Sequence, residues 1–151
     1  MEPIEARSDR QSQLIAASPE AVFAAIEDPE RVQRWWGPAG FRNTIHAYEF
    51  RPGGRWLLTM HGPDGQDYPN ESRFTRVEPG MCVEIEHLNG HHFFLRLDLT
   101  QAAEGTLVQW CQTFDSAADF HKVASFVVPA NAENLRRLAD EVARGATRPA
   151  D

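Results

Sequence analysis

The chain is 151 residues long, carries 22 acidic against 15 basic side chains for a formal net charge of -7, and is 42% hydrophobic and 25% charged. That length fits a single domain over residues 1–151, with an ordered core from about 10 to 144, large enough to bury a core without staples. The composition is that of a soluble globular protein, and the acidic balance with no basic stripe excludes nucleic acid as the main partner.

Residues 1–8 read as a loose terminus without an apolar h-region, so no signal peptide is expected, and no run approaches the ~18 apolar residues of a membrane span. Gln11 to Ala17, with Leu14 and Ile15, is a first strand. Ser18-Pro19-Glu20 and Asp28-Pro29-Glu30 are two matching helix starts, each a capping side chain, a proline and a first-turn carboxylate. Two short helices follow, the first with Val22 and Ile26 on one face, the second ending near Val32, Trp35 and Trp36.

Gly37-Pro38-Ala39-Gly40 ends the helical stretch. Strands then run from Thr44 to Phe50 and Arg55 to His61, from about Tyr68 to Val77, and from Cys82 to His87. Two more carry Phe93 to Leu99 and Val108 to Phe114. The turns between them, such as Arg51-Pro52-Gly53-Gly54 and Asn89-Gly90, are short, so neighbouring strands pair antiparallel. Asp115 to Val128 is helix or loop. Pro129 to Arg144 is the last ordered element, with Leu135, Leu138 and Val142 as one apolar stripe and Gly145 as its stop.

This order specifies an α+β fold: a curved seven-stranded antiparallel sheet around one long C-terminal helix, with two short helices between strands 1 and 2. A twisted sheet and a single covering helix leave a gap, which is a natural ligand cavity. The cavity wall and its contacts are expected from Trp35, Trp36, Phe41, Trp56, Leu58, Met60, Tyr68, Phe74, Arg76, Ile85, His87, Phe93, Trp110, Gln112, Phe114 and Leu135. Against that stands the plain alternative that most of these side chains fill the core.

His87 has the parity of Val83 and Ile85 and is expected to point inward. With Arg76 and Tyr68 it is the candidate for acid/base work on a carbonyl; the alternative has Arg76 exposed and Tyr68 capping a hairpin. The six histidines show no metal spacing, and no metal site is expected. Gly53-Gly54 has neither a following helix nor a Lys-Ser/Thr, so it is a hairpin turn rather than a phosphate loop, and no cofactor is expected. Cys82 and Cys111 form no disulfide framework, which points to a reducing, cytoplasmic setting.

The series Ser18-Pro19-Glu20, Asp28-Pro29-Glu30, Trp35-Trp36-Gly37-Pro38, Arg51-Pro52-Gly53-Gly54-Arg55-Trp56, Met60-His61-Gly62-Pro63-Asp64-Gly65 and Asn134-Leu135-Arg136-Arg137-Leu138 resembles the SRPBCC superfamily. This is the helix-grip, START-like fold, and the match is closest to the branch named after the activator of the heat-shock-protein-ninety ATPase. The resemblance spans roughly residues 10 to 144. It implies binding of a hydrophobic or amphipathic small molecule under the last helix, or, as in some members, polyketide aromatase or cyclase activity. The eukaryotic co-chaperones of the branch carry an additional amino-terminal domain for which this chain has no room, so ATPase activation is not implied. The expected function is therefore binding of an apolar or aromatic small molecule. The rivals are a cyclase-like enzyme and a protein-interaction domain, with a stress-related partner or a homodimer.

Overall fold

A computed structural model describes residues 2–146. A short 3-10 turn over Ile4–Arg7 leads into β1 (Ser8–Ile15), then α1 (Pro19–Glu27) and α2 (Pro29–Trp35). The remaining strands are β2 (Arg42–Tyr48), β3 (Arg55–His61), β4 (Asp67–Glu78), β5 (Cys82–His87), β6 (Phe93–Ala102) and β7 (Gly105–Phe114), followed by α3 (Ala117–Ala146). They form one antiparallel sheet in the order β1-β7-β6-β5-β4-β3-β2, which is the expected α+β helix-grip architecture.

Both short helices begin as their sequences dictate: Ser18 Oγ accepts from the Ala21 amide at 3.1 Å, and Asp28 Oδ1 accepts from the Glu30 amide at 3.0 Å. Val22, Phe23 and Ile26 of α1 and Val32 and Trp35 of α2 are buried. They meet Leu135, Leu138 and Val142 of α3 and the inner sheet residues Phe74, Val83, Leu97 and Val108 in one core. Each such aliphatic side chain contributes about 1.5–3 kcal/mol by leaving water. Gly105, at φ +146°, has no room for a Cβ against the Ile15 carbonyl, so the turn into β7 can pass directly under the end of β1.

Three expectations need correction. The amino terminus is not loose up to Ser8: β1 starts there, pairs with β7 from Ser8↔Thr113 to Ile15↔Thr106, and Arg7 Nη1 donates to the Phe114 carbonyl at 2.9 Å. β2 ends at Tyr48 instead of Phe50, because the backbone turns at Glu49 and Phe50 folds back to stack on Tyr48 with ring centroids 5.6 Å apart.

The last helix is almost twice as long as expected. α3 begins at Ala117, where Ser116 Oγ accepts from the Asp119 amide at 3.0 Å, and it runs through Pro129 and Gly145. Pro129 removes the amide donor that would otherwise serve the Ser125 carbonyl, but Pro129 and Ser125 both lie on the exposed side, so the lost bond leaves no acceptor buried away from solvent. Gly145 is not a stop. A Cβ there would strike the Arg31 guanidinium, so the glycine keeps open the path by which Arg31 reaches α3.

Candidate functional site

Between α3 and the concave face of the sheet lies a cavity of about 380 Å³. Its floor is set by strand alternation: Trp56, Leu58 and Met60 from β3, Asn70 and Ser72 from β4, and Ile85 and His87 from β5. Phe93 and Leu95 from β6 and Trp110, Gln112 and Phe114 from β7 complete it. Register aligns one row across five strands, Trp56↔Ser72, Ser72↔His87, His87↔Phe93 and Phe93↔Phe114. The cover comes from Val123, Phe126, Val127, Ala130, Asn131 and Asn134 of α3 and from the Trp36–Pro38 turn.

That turn is held in place by α3. Arg137 Nη1 donates to the carbonyls of Trp36, Gly37 and Pro38 at 3.0, 2.7 and 3.0 Å, and its Nη2 donates to the Arg34 carbonyl at 2.6 Å. A guanidinium is thus placed on the carbonyls that end α2 and form the turn, of which Trp36 also accepts from Asn43 Nδ2 at 2.9 Å and Pro38 from the Phe41 amide at 3.2 Å. Asn134 adds a second clamp, donating to the Trp35 carbonyl at 3.1 Å and accepting from the Gly37 amide at 3.2 Å. The result is a fixed position for the Trp36 ring, whose centroid lies 4.7 Å from that of Trp56 and 5.9 Å from that of Trp110.

The polar groups of the wall are mostly committed. Asn131 Nδ2 donates to Gln112 Oε1 and to Asp9 Oδ2, both at 2.9 Å. His87 has Nδ1 2.7 Å from the His91 carbonyl, to which it donates, and Nε2 2.8 Å from Asn70 Oδ1. Burial lowers its pKa below the ordinary histidine value, an effect that outweighs the charged form's gain from the His91 carbonyl. The Trp56 and Trp110 indole N–H groups are different: both are buried, and neither has a hydrogen-bond partner among the described residues. Among the described residues no Lys, Arg, Asp or Glu lines the cavity.

Of the residues expected at the wall, Trp36, Trp56, Leu58, Met60, Tyr68, Ile85, His87, Phe93, Trp110, Gln112 and Phe114 meet there. Five do not. Trp35, Phe74 and Leu135 are buried in the solid core, and the Trp35 indole donates to the Ala25 carbonyl at 2.9 Å. Phe41 packs outside the cavity, its ring 6.1 Å from that of Tyr68. Arg76 faces solvent, 3.7 Å from Glu78, because a bulge at Thr75 shifts the register between Phe74↔Ile85 and Arg76↔Glu84. After that extra residue Val77, not Arg76, packs on the core.

The acid/base group of His87, Tyr68 and Arg76 is therefore not assembled. Arg76 points away, and the Tyr68 hydroxyl donates to Asp64 Oδ2 at 2.8 Å across the Gly62–Gly65 turn. Both His87 nitrogens are already taken. Among the described residues no group of three or more His, Cys, Asp or Glu side chains could hold a metal ion. Sequence reasoning missed the α3 contribution: the Ser116 cap and the Phe120, Val123, Val127 spacing were the signals for a helix starting before Pro129.

A seven-stranded sheet gripping one long helix over an apolar cavity defines the class as a helix-grip domain. Residues 16–143 match the family model described as Activator of Hsp90 ATPase homolog 1-like protein, and the chain belongs to that family. A solution structure of a protein from Arthrobacter aurescens is similar with a TM-score of 0.85 at 23% identity, covering 100% of this chain and 92% of that one. A Nitrosomonas europaea protein gives a TM-score of 0.85 at 14% identity over 96% of this chain and 99% of its own. The AHSA1 protein of Silicibacter pomeroyi gives 0.74 at 21% identity over 91% and 99%. These likenesses establish the fold. No curated protein matches the chain.

Proposed function

We propose that this protein is a small-molecule binding domain that takes an apolar or aromatic ligand between α3 and the sheet. The observation that carries the reading is the 380 Å³ cavity, a size typical of ligand sites, walled by aromatic and aliphatic side chains with a few polar groups. The helix-grip superfamily commonly binds hydrophobic ligands, which supports the same reading. The lining comes from α3, the sheet, the turn after β5 and the Trp36–Pro38 turn of one chain. Two free cysteines, Cys82 and Cys111, fit a reducing, cytoplasmic setting.

The test is native mass spectrometry after incubation with a mixture of lipids and aromatic metabolites. A stoichiometric adduct on the wild type, lost in Ala130→Trp where an indole fills the space under α3, is the expected result. Absence of any adduct on a folded wild type overturns the proposal. The cyclase-like alternative loses its support with the divergence of Arg76, Tyr68 and His87.

A further inference from the structure

We infer that the ligand is an elongated apolar or aromatic molecule with a hydroxyl-type oxygen at each end, one end received by Gln112 and Asn131 and the other by Ser72. This rests on the cavity being a ligand site, and it names the shape and chemistry that site selects.

Four polar residues of the cavity wall are buried: Ser72 at 3% exposure, Asn134 at 5%, and Gln112 and Asn131 at 8%. Asn134 uses both ends of its carboxamide, on the Trp35 carbonyl and the Gly37 amide. The other three each keep a group free: Ser72 Oγ, Gln112 Nε2 and Asn131 Oδ1 make no hydrogen bond among the described residues. Nor are they sealed in protein. The unpartnered side-chain atoms with almost no accessible surface are, among the described residues, Asn43 Oδ1 and the indole nitrogens of Trp56 and Trp110. The three free groups therefore retain open surface, and the space their residues border is the cavity.

The orientation of the Gln112 carboxamide is fixed by its neighbours. The Asp9 carboxylate only accepts, so Asn131 presents its NH2 group to it, and the second N–H of that group goes to Gln112 Oε1. The Gln112 NH2 group is thereby turned away from Asn131. It does not turn to β1 either, where the Asp9 carboxylate directly opposite takes its protons from Asn131 and Gln11. What remains is the cavity side, toward Leu95 on β6. This end thus offers a donor and an acceptor from two residues already bonded to each other, which suits a hydroxyl, since an O–H both accepts and donates. Ser72 Oγ offers both at the other end.

Shape follows from where the two ends lie. Ser72 is on β4 and Gln112 on β7, with β5 and β6 between them. Three strand spacings place them on the order of 14 Å apart along the floor. The floor between is apolar, Ile85 on β5 and Phe93 and Leu95 on β6, under Val123 and Val127 of α3. A compact ligand would serve one end and leave the other buried polar group unpaired, whereas a rod of two rings with oxygen at both tips serves both.

Three probes of one length separate the possibilities: 4,4′-dihydroxybiphenyl, 4-hydroxybiphenyl and biphenyl, with affinities read by calorimetry. Each hydroxyl is expected to tighten binding about fivefold, so the diol binds best and the hydrocarbon worst. Ser72→Ala removes the hydroxyl at one end, and Gln112→Met replaces the carboxamide at the other with a thioether of similar length. Either variant should bring the diol down to the affinity of the single phenol.

Equal binding of all three probes, or of the diol and the single phenol, overturns this inference and leaves the binding function intact. A diol advantage that persists in both folded variants overturns the assignment to Ser72 and Gln112. If none of the three binds while the metabolite mixture still yields an adduct, the two-ended ligand falls and the binding function stands. Failure of the probes together with no adduct from the mixture overturns the binding function itself. The wild-type series decides between one end and two should either variant fail to fold.

Discussion

Arg31 on α2 places its Nε 3.0 Å from Oε2 of Glu141 on α3. Arg34 grips both oxygens of the same carboxylate at 3.0 Å and Arg144 adds a third guanidinium at 3.0 Å, around a residue only 2% exposed. Burial alone would raise the Glu141 pKa, but the arginines outweigh it and hold the carboxyl below its usual range.

Glu141→Gln should cost about 3–5 kcal/mol in urea unfolding, since three guanidinium groups lose the anion that gathers them. The sign with pH follows from the lowered folded-state pKa. The stabilisation is complete above the unfolded carboxylate value of about 4.3 and fades as pH falls through the lower folded value. The stability gap between wild type and Glu141→Gln should therefore close in acid, and a gap that stays constant down to about pH 2 would contradict the assignment.

Arg137→Lys should be costly although charge is kept. A lysine offers one ammonium where the guanidinium fork spans the Arg34 to Pro38 carbonyls, so a loss of about 2 kcal/mol is expected. Because the turn carries Trp36, tryptophan fluorescence should change together with the unfolding midpoint. A wild-type spectrum and midpoint would show that the clamp is not needed.

Two histidines should titrate on opposite sides of the ordinary value of about 6.5. His92 is raised, chiefly by Glu86 at 2.8 Å and then by Asp115 at 2.7 Å, whereas burial lowers His87. The His92 pairing stabilises the fold fully below the unfolded pKa and is lost as pH rises through the higher folded one. Following both imidazole C–H signals by NMR from about pH 5 to 9 checks the order, which fails if His87 titrates last.

Cys82 is 2% exposed, and burial, helped by Asp98, pushes its pKa up to about 11. It should resist a thiol reagent in the native protein at about pH 8 while half-buried Cys111 reacts. Denatured protein should release two equivalents. Rapid modification of Cys82 without unfolding would place it outside the core.

Much of this architecture is legible in the chain because two periodicities are intact. Cys82 to His87 alternates cleanly and is a strand with those bounds, and Leu135, Leu138 and Val142 form the expected buried stripe. Arg76 defeats the same reading because the extra residue at Thr75 has no signature in the side-chain pattern; it shows only in the pairing of β4 with β5. Pro129 misleads in the other direction. Proline ends helices by default, and only the exposed course of α3 at that point lets it stay. Asn131 and Asn134 give no sign of being wall residues, since their role depends on which turn of α3 faces Gln112 and Gly37.

Pro129 also separates two kinds of residue along α3. Beyond it Leu135, Leu138, Glu141 and Val142 are anchored in the core, while before it Val127 is buried and Phe126 and Val128 are open to solvent. Substitution of Val123 or Phe126, ahead of the proline, thus alters the cavity wall while leaving the buried stripe beyond it in place.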